Sequence, residues 1–225
     1  MHVPVNLVIF DCDGVLIDSE VISARMLISE LEKYGVQVNL EYVARHFIGR
    51  SYPVVLSQIR KEFGVVLPDG FEADYRARLI EAFRADLKIM PGVREVLGDL
   101  SVPFCLATSS SPNRLRQSLE LVGIAGLFEG RATTASEVEH GKPAPDLFLH
   151  AAEKLGTNPK ECLVIEDSLA GIRAGIAAGM QVWHFTGGSH LRGLKLPPDN
   201  DAKPHRQFAS FSEFFYGAPE LKRGR

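Results

Sequence analysis

Asp11 and Asp13 stand two residues apart at the end of an apolar run, and Gly14 follows them directly. In an extended chain, residues two apart leave the same face, so the two carboxylates can serve one reacting centre while Cys12 points away into the core. An isolated Asp-x-Asp of this kind also occurs as a simple turn cap. A second acidic pair, Glu166 and Asp167, closes a later apolar run. If Asp11, Asp13 and Asp167 converge, their mutual repulsion makes ionisation costly unless a cation sits among them. An all-carboxylate set suits a hard ion such as Mg²⁺, and no His or Cys is spaced for zinc. Thr108 ends a further run, with Ser109, Ser110 and Ser111 just before Pro112. Hydroxyls and free N–H groups at a helix start form an anion site, although serine runs are also common in solvated loops. Lys142, in the segment Gly141-Lys142-Pro143-Ala144-Pro145-Asp146, adds a point charge held by two prolines, although a lysine taken alone is more commonly a solvated surface residue.

These groups need a frame that brings strand ends together. Apolar runs at residues 7–11, 104–108, 131–135, 162–167 and 181–185 read as strands, rich enough in Val, Ile, Leu and Phe to be covered on both faces. Helical patterns separate the later ones. Ser111 caps one with Pro112 at its first position, Leu115, Leu119 and Val122 on its apolar stripe and Gly123 as its stop; another runs from Ser168 to near Gly179. Alternation of strand and helix implies a parallel α/β sheet. Residues 15–87 break the rhythm with helices at about 19–34, 53–63 and 69–86 and no strand, so the pattern predicts an α/β core (1–14 and 88–225) carrying an inserted α-helical cap (15–87). Links near 15–18 and 86–90 would be its hinges. Phe208, Phe211 and Phe215, at helical spacing, predict a terminal helix docked on the core.

Asp11-Cys12-Asp13-Gly14-Val15-Leu16-Ile17-Asp18-Ser19-Glu20, then Thr108, then Gly141-Lys142-Pro143-Ala144-Pro145-Asp146, then Glu166-Asp167-Ser168-Leu169-Ala170-Gly171 resemble, in order, the four motifs of the haloacid dehalogenase superfamily. Its phosphatase branch with a helical cap has the same layout. The dehalogenases proper lack the second aspartate of the first motif, so Asp13 sides with phosphoryl transfer. The resemblance implies a Rossmann-like core and a phosphoric monoester hydrolase acting on a sugar phosphate or a sugar-acid phosphate such as 6-phosphogluconate. It implies Asp11 as nucleophile, Asp13 as acid and base, and Thr108, Ser109 and Lys142 as phosphate binders. It further implies Mg²⁺ on Asp11, Asp167 and the Asp13 carbonyl, with Glu166 bound directly or one step removed. Gly49 and Arg50 correspond to the cap loop that faces the leaving group, with Ser110, Arg76, Arg78, Asn113 and Arg114 as further substrate contacts. A mutase of the beta-phosphoglucomutase type is the alternative; its cap histidine has no counterpart here, where no histidine lies between His2 and His46. A binding module without activity is the other, and retained buried carboxylates speak against it.

With 225 residues, 45% of them hydrophobic and 24% charged, the chain has the balance of a globular enzyme. A net charge of −3 and the lack of a basic stripe argue against a nucleic-acid partner. Lys222, Arg223 and Arg225 form too short a basic tail to alter this. Cys12, Cys105 and Cys162 lie in apolar runs without metal-ligand spacing, which predicts reduced buried thiols. No run approaches the roughly 18 apolar residues of a membrane span, and no charged leader precedes one. A cytoplasmic monomer acting on small phosphate esters is the expectation.

Overall fold

The computed structural model describes residues 4–193 and 202–224. Six parallel strands form one sheet: β1 (Leu7–Phe10), β2 (Phe104–Thr108), β3 (Ala132–Thr134), β4 (Cys162–Glu166), β5 (Gln181–Phe185) and β6 (Arg206–Phe208). Their spatial order is β3-β2-β1-β4-β5-β6. The chain therefore winds outward from β1 on one side and from β4 on the other. A crevice opens beyond the carboxyl ends of these two strands, where the crossovers diverge to opposite sides.

Alternation along the strands explains the apolar runs. Val8 and Phe10 face one layer with Leu106, Leu163 and Ile165, together with Val93, Val96 and Leu97 of α5 (Val93–Asp99) and Leu115 and Leu119 of α6 (Pro112–Leu121). Leu7 and Ile9 face the other, with Val164, Leu147 and Phe148 of α7 (Asp146–Lys154), and Ile172 and Ala174 of α8 (Leu169–Ala177). Every residue of β1 and β4 is buried, as a strand covered on both faces requires.

Between β1 and α5 the chain forms α1 (Glu20–Glu32), α2 (Leu40–His46), α3 (Tyr52–Phe63) and α4 (Phe71–Asp86). Their apolar stripes close on a cluster of their own, centred on Leu31, Ile59, Leu79 and Phe83. The two connecting segments run side by side: Ile17 bridges Ile89 in antiparallel sense, Asp18 N donates to the Lys88 carbonyl at 2.9 Å, and Met90 N donates to Leu16 at 2.9 Å. Ser189 fastens this pair to the core through two hydrogen bonds to Asp18 Oδ1.

Several expected boundaries shift. β1 and β4 stop one residue before Asp11 and Asp167, and β3 is shorter because Thr134 caps a 3₁₀ turn with Glu137. Cys12 lies in the turn after β1, buried like Cys105 and Cys162; all three thiols are free. The expected terminal helix is not one element. Phe208 belongs to the sixth strand, Phe211 to a 3₁₀ turn, and Phe215 to the four-residue α9 (Phe214–Gly217). Phe208, Phe211 and Phe214 do reach the core, side by side against Trp183 and Phe185. Among the described residues no helix is long and apolar enough to cross a membrane.

Candidate active site

The ends of β1, β2 and β4 and the loop before α7 meet in the crevice. Asp11 follows β1, and its N–H still donates to the Ile165 carbonyl at 2.9 Å, so the strand ladder fixes its position. Lys142, fully buried, donates to Asp11 Oδ1, to Glu166 Oε1 at 2.7 Å and to the Ala107 carbonyl at 3.2 Å. A solvated surface role for this lysine is excluded. Burial alone would lower the ammonium's pKa; the Asp11 and Glu166 carboxylates outweigh it and hold it above its ordinary value.

Glu166 is saturated on its second oxygen, which accepts from Asp167 N, Ser168 N and Ser168 Oγ at 2.8, 2.8 and 3.0 Å. That arrangement orients the first oxygen toward Lys142. Oxygens of Asp11, Glu166 and Asp167 all lie within 4.8 Å of one another. Asp167 Oδ2 is buried with no hydrogen bond, although His190 Nε2 approaches it to 3.0 Å off the hydrogen-bonding direction. Burial raises the Asp11 carboxyl well above its usual range, Lys142 opposes this, and Glu166 and Asp167 add to it. Burial and then Glu166 do the same to Asp167. Three buried carboxylates facing one ammonium leave negative charge uncompensated. The orphaned oxygen and the all-oxygen donor set therefore fit a hard divalent cation.

Gly14 makes this approach possible. Its φ is +80°, and a Cβ there would stand 1.8 Å from Asp167 Oδ2. Only glycine allows the turn and the proximity together.

Asp13 does not share that cluster through its side chain. Its Oδ1 accepts from Ser19 Oγ at 2.6 Å and from Arg114 Nη2 at 2.7 Å, and its Oδ2 from Ser110 Oγ at 2.6 Å. Burial would raise this carboxyl, and Arg114 with the two hydroxyls overrides it, leaving the group below its ordinary value. Arg114 also contacts Ser23 Oγ at 3.3 Å and lies over the Phe83 ring, so it joins the core to α1 and α4. Thr108 is buried and accepts from Ser110 N at 3.1 Å, which shapes the serine turn. Ser111 caps α6 and receives Arg76 Nη1 at 2.9 Å.

The loop between α2 and α3 reaches the core through Gly49. Ser109 Oγ donates to its carbonyl at 2.8 Å, and a Cβ at Gly49 (φ +78°) would stand 2.0 Å from Ser168 Oγ. Arg50 lines the resulting cavity of 250 Å³ with Asp11, Asp13 and Arg114. Its Nη1 donates to Gln58 Oε1 at 3.4 Å. Of the further candidates, Arg76, Ser110 and Arg114 line this cavity, whereas Arg78 pairs with Glu30 and Asn113 borders an outer cleft. Glu20, Ser19 and His190 escaped the residue pattern as site members. Ser19 and Glu20 lie inside the first motif, and only their contacts reveal them.

Residues 5–179 match the family model for haloacid dehalogenase-like hydrolases. The chain belongs to this family. The 6-phosphogluconate phosphatase of Escherichia coli (strain K12) is 30% identical over 195 residues, covering 86% of this chain and 88% of that protein. A conserved haloacid dehalogenase-like protein from Agrobacterium tumefaciens superposes with a TM-score of 0.80 at 32% identity, covering 96% of this chain and 99% of that one. A haloacid dehalogenase family hydrolase from Deinococcus radiodurans, solved with phosphate and sodium, gives 0.73 at 32% identity, with 97% of each chain covered. As a haloacid dehalogenase-like hydrolase with phosphatase relatives, the protein is a phosphoric monoester hydrolase.

Proposed function

We propose that the protein is a Mg²⁺-dependent phosphatase working through an aspartyl-phosphate on Asp11, with a sugar phosphate or sugar-acid phosphate such as 6-phosphogluconate as substrate. The observation that carries this reading is Lys142 held between Asp11 and Glu166, beside the orphaned Asp167 oxygen, at the crevice between β1 and β4.

Asp11 attacks phosphorus in line while the bond to the ester oxygen breaks. Asp13, a carboxylate in the free protein, takes up a proton as the phosphate's negative charge enters beside it and gives that proton to the ester oxygen as the alcohol leaves. In the second step Asp13, again a carboxylate, takes a proton from water, which attacks phosphorus and frees Asp11. The proton cycle closes on Asp13. Ser19, Ser110 and Arg114 fix the direction of its carboxylate throughout. Lys142, Thr108 and Ser109 hold the phosphoryl oxygens. Asp11, Glu166, Asp167 and the Asp13 carbonyl would hold Mg²⁺, which keeps Asp11 ionised and offsets charge on the phosphoryl group.

Residues 15–87 act as the cap over a core of 1–14 and 88–225, and the separate apolar cluster of α1–α4 supports that division. Arg50, Arg76 and Arg114 in the cavity favour an acidic leaving group. All groups named come from one chain, which is consistent with a monomer.

The test is phosphate release from a panel of sugar and sugar-acid phosphates with Mg²⁺ or with EDTA. Release that requires Mg²⁺ and favours 6-phosphogluconate is expected. No release from any member, or release unchanged by EDTA, sinks the proposal.

A further inference from the structure

Glu20 is the first residue of α1, half-buried, and it lines the same cavity as Asp11 and Asp13. No described residue hydrogen-bonds or ion-pairs with its carboxylate. The other acids around it are held. Asp11 has Lys142, Asp13 has Arg114 and two hydroxyls, Glu166 has Lys142 and two backbone N–H groups, and Glu30 on the same helix has Lys33 and Arg78. Asp167 belongs to the carboxylate cluster with Asp11 and Glu166, and His190 Nε2 lies 3.0 Å from its Oδ2. A carboxylate at a helix start gains from the helix dipole, but an outward side chain would gain as much. Turned into a cavity without a donor, it costs free energy until something enters to bind it.

The surroundings restrict what that is. Burial pushes the Glu20 carboxyl up to about 8, with Asp13 and Asp167 adding to the effect and His190 and Arg114 opposing it. The negative field of Asp13 and Asp167, which helps keep this carboxyl protonated near neutral pH, disfavours a further anion at the same place, so the phosphate and any acidic substituent belong elsewhere in the cavity. A hydroxyl donates a hydrogen bond without adding charge. Tyr52 Oη, on the same cavity, is likewise buried without a partner and can take a second hydroxyl.

Building on the phosphatase reading, we propose that Glu20 is a specificity-determining residue that accepts a hydrogen bond from a hydroxyl of the leaving group, selecting polyhydroxylated esters over alkyl ones. A site that hydrogen-bonds a hydroxyl rejects the analogue without it more strongly than it discriminates methylenes.

Sorbitol 6-phosphate and n-hexyl phosphate share chain length and leaving-group type and differ in hydroxyls. The wild type is expected to favour sorbitol 6-phosphate in kcat/KM, and Glu20→Ala to lower that preference by roughly 10- to 100-fold. Glu20→Gln keeps the shape and one acceptor oxygen while an amide N–H₂ replaces the other oxygen, and should lose roughly 3- to 10-fold, mainly through KM. It decides the matter if the alanine variant does not fold. An unchanged preference in the folded variants, or equal losses on both esters, overturns the assignment. A wild type that releases phosphate from neither ester, nor from any of the wider panel, removes the phosphatase reading and this inference with it.

Discussion

The two sides of the crevice are built to opposite rules. On the strand side, Asp11, Lys142 and Glu166 are buried and held by named partners, most of them on strand ends whose positions the sheet sets. On the cap side, Glu20 and Tyr52 offer polar groups with no partner, and Arg50 rests on a single long contact. A buried network held by fixed partners is rigid and indifferent to what is attached to the phosphate. An unsaturated one gains its partners only when a molecule of the right pattern arrives. Chemistry and selectivity thus sit on different elements, and they should fail separately.

The largest effect is expected where the strand side is broken. Asp11→Asn should lower kcat by at least about 1,000-fold, because an amide is not a nucleophile toward phosphorus. Circular dichroism should show an intact fold. A variant keeping a tenth of wild-type kcat would exclude the covalent route.

An intermediate effect belongs to the seam between the two sides. Gly49→Ala places a methyl 2.0 Å from Ser168 Oγ at a φ of +78°, so the loop must retreat and carry Arg50 with it. A fall in kcat/KM of about 10- to 100-fold is expected. Gly64→Ala supplies the control, because its φ of +65° imposes the same backbone strain with nothing within 4 Å. Similar activity losses in the two variants would mean that strain, not contact with Ser168, matters at Gly49.

The smallest effect lies wholly on the cap side. Arg50→Ala should raise KM for 6-phosphogluconate by about tenfold, and by several-fold less for a neutral hexitol phosphate. Equal increases would show that Arg50 does not read the acidic group.

The same division governs what could be read before any coordinates. β2 and β5 are legible to the residue because the buried positions Cys105 to Ala107 in one and Val182, Trp183 and Phe185 in the other are apolar, and the helix from Pro112 announces itself through Ser111 and Gly123. Lys142 and Glu166 come together 24 residues apart through the sheet, and the resemblance of four motifs anticipated that meeting. β6 was not legible: Arg206-Gln207-Phe208 has one buried residue, and the spacing of the nearby phenylalanines suggests a helix. Nor was the isolation of Glu20. A missing partner is a property of packing among α1, the serine turn and Arg114, regions about a hundred residues apart, and no local pattern encodes it. Arg78 and Asn113 failed for the converse reason. Polar side chains on helices that border a site can turn to another partner or to an outer cleft, as Arg78 does to Glu30 and Asn113 to the cleft beside α4.

The sheet's margins have a bearing on how the protein behaves in concentrated solution. Both outermost strands, Ala132–Thr134 and Arg206–Phe208, are three residues long. Each offers a neighbouring molecule only a short row of unpaired backbone groups. An encounter between two such margins can form few hydrogen bonds and no extended register, so edge-to-edge growth into larger sheets finds no template.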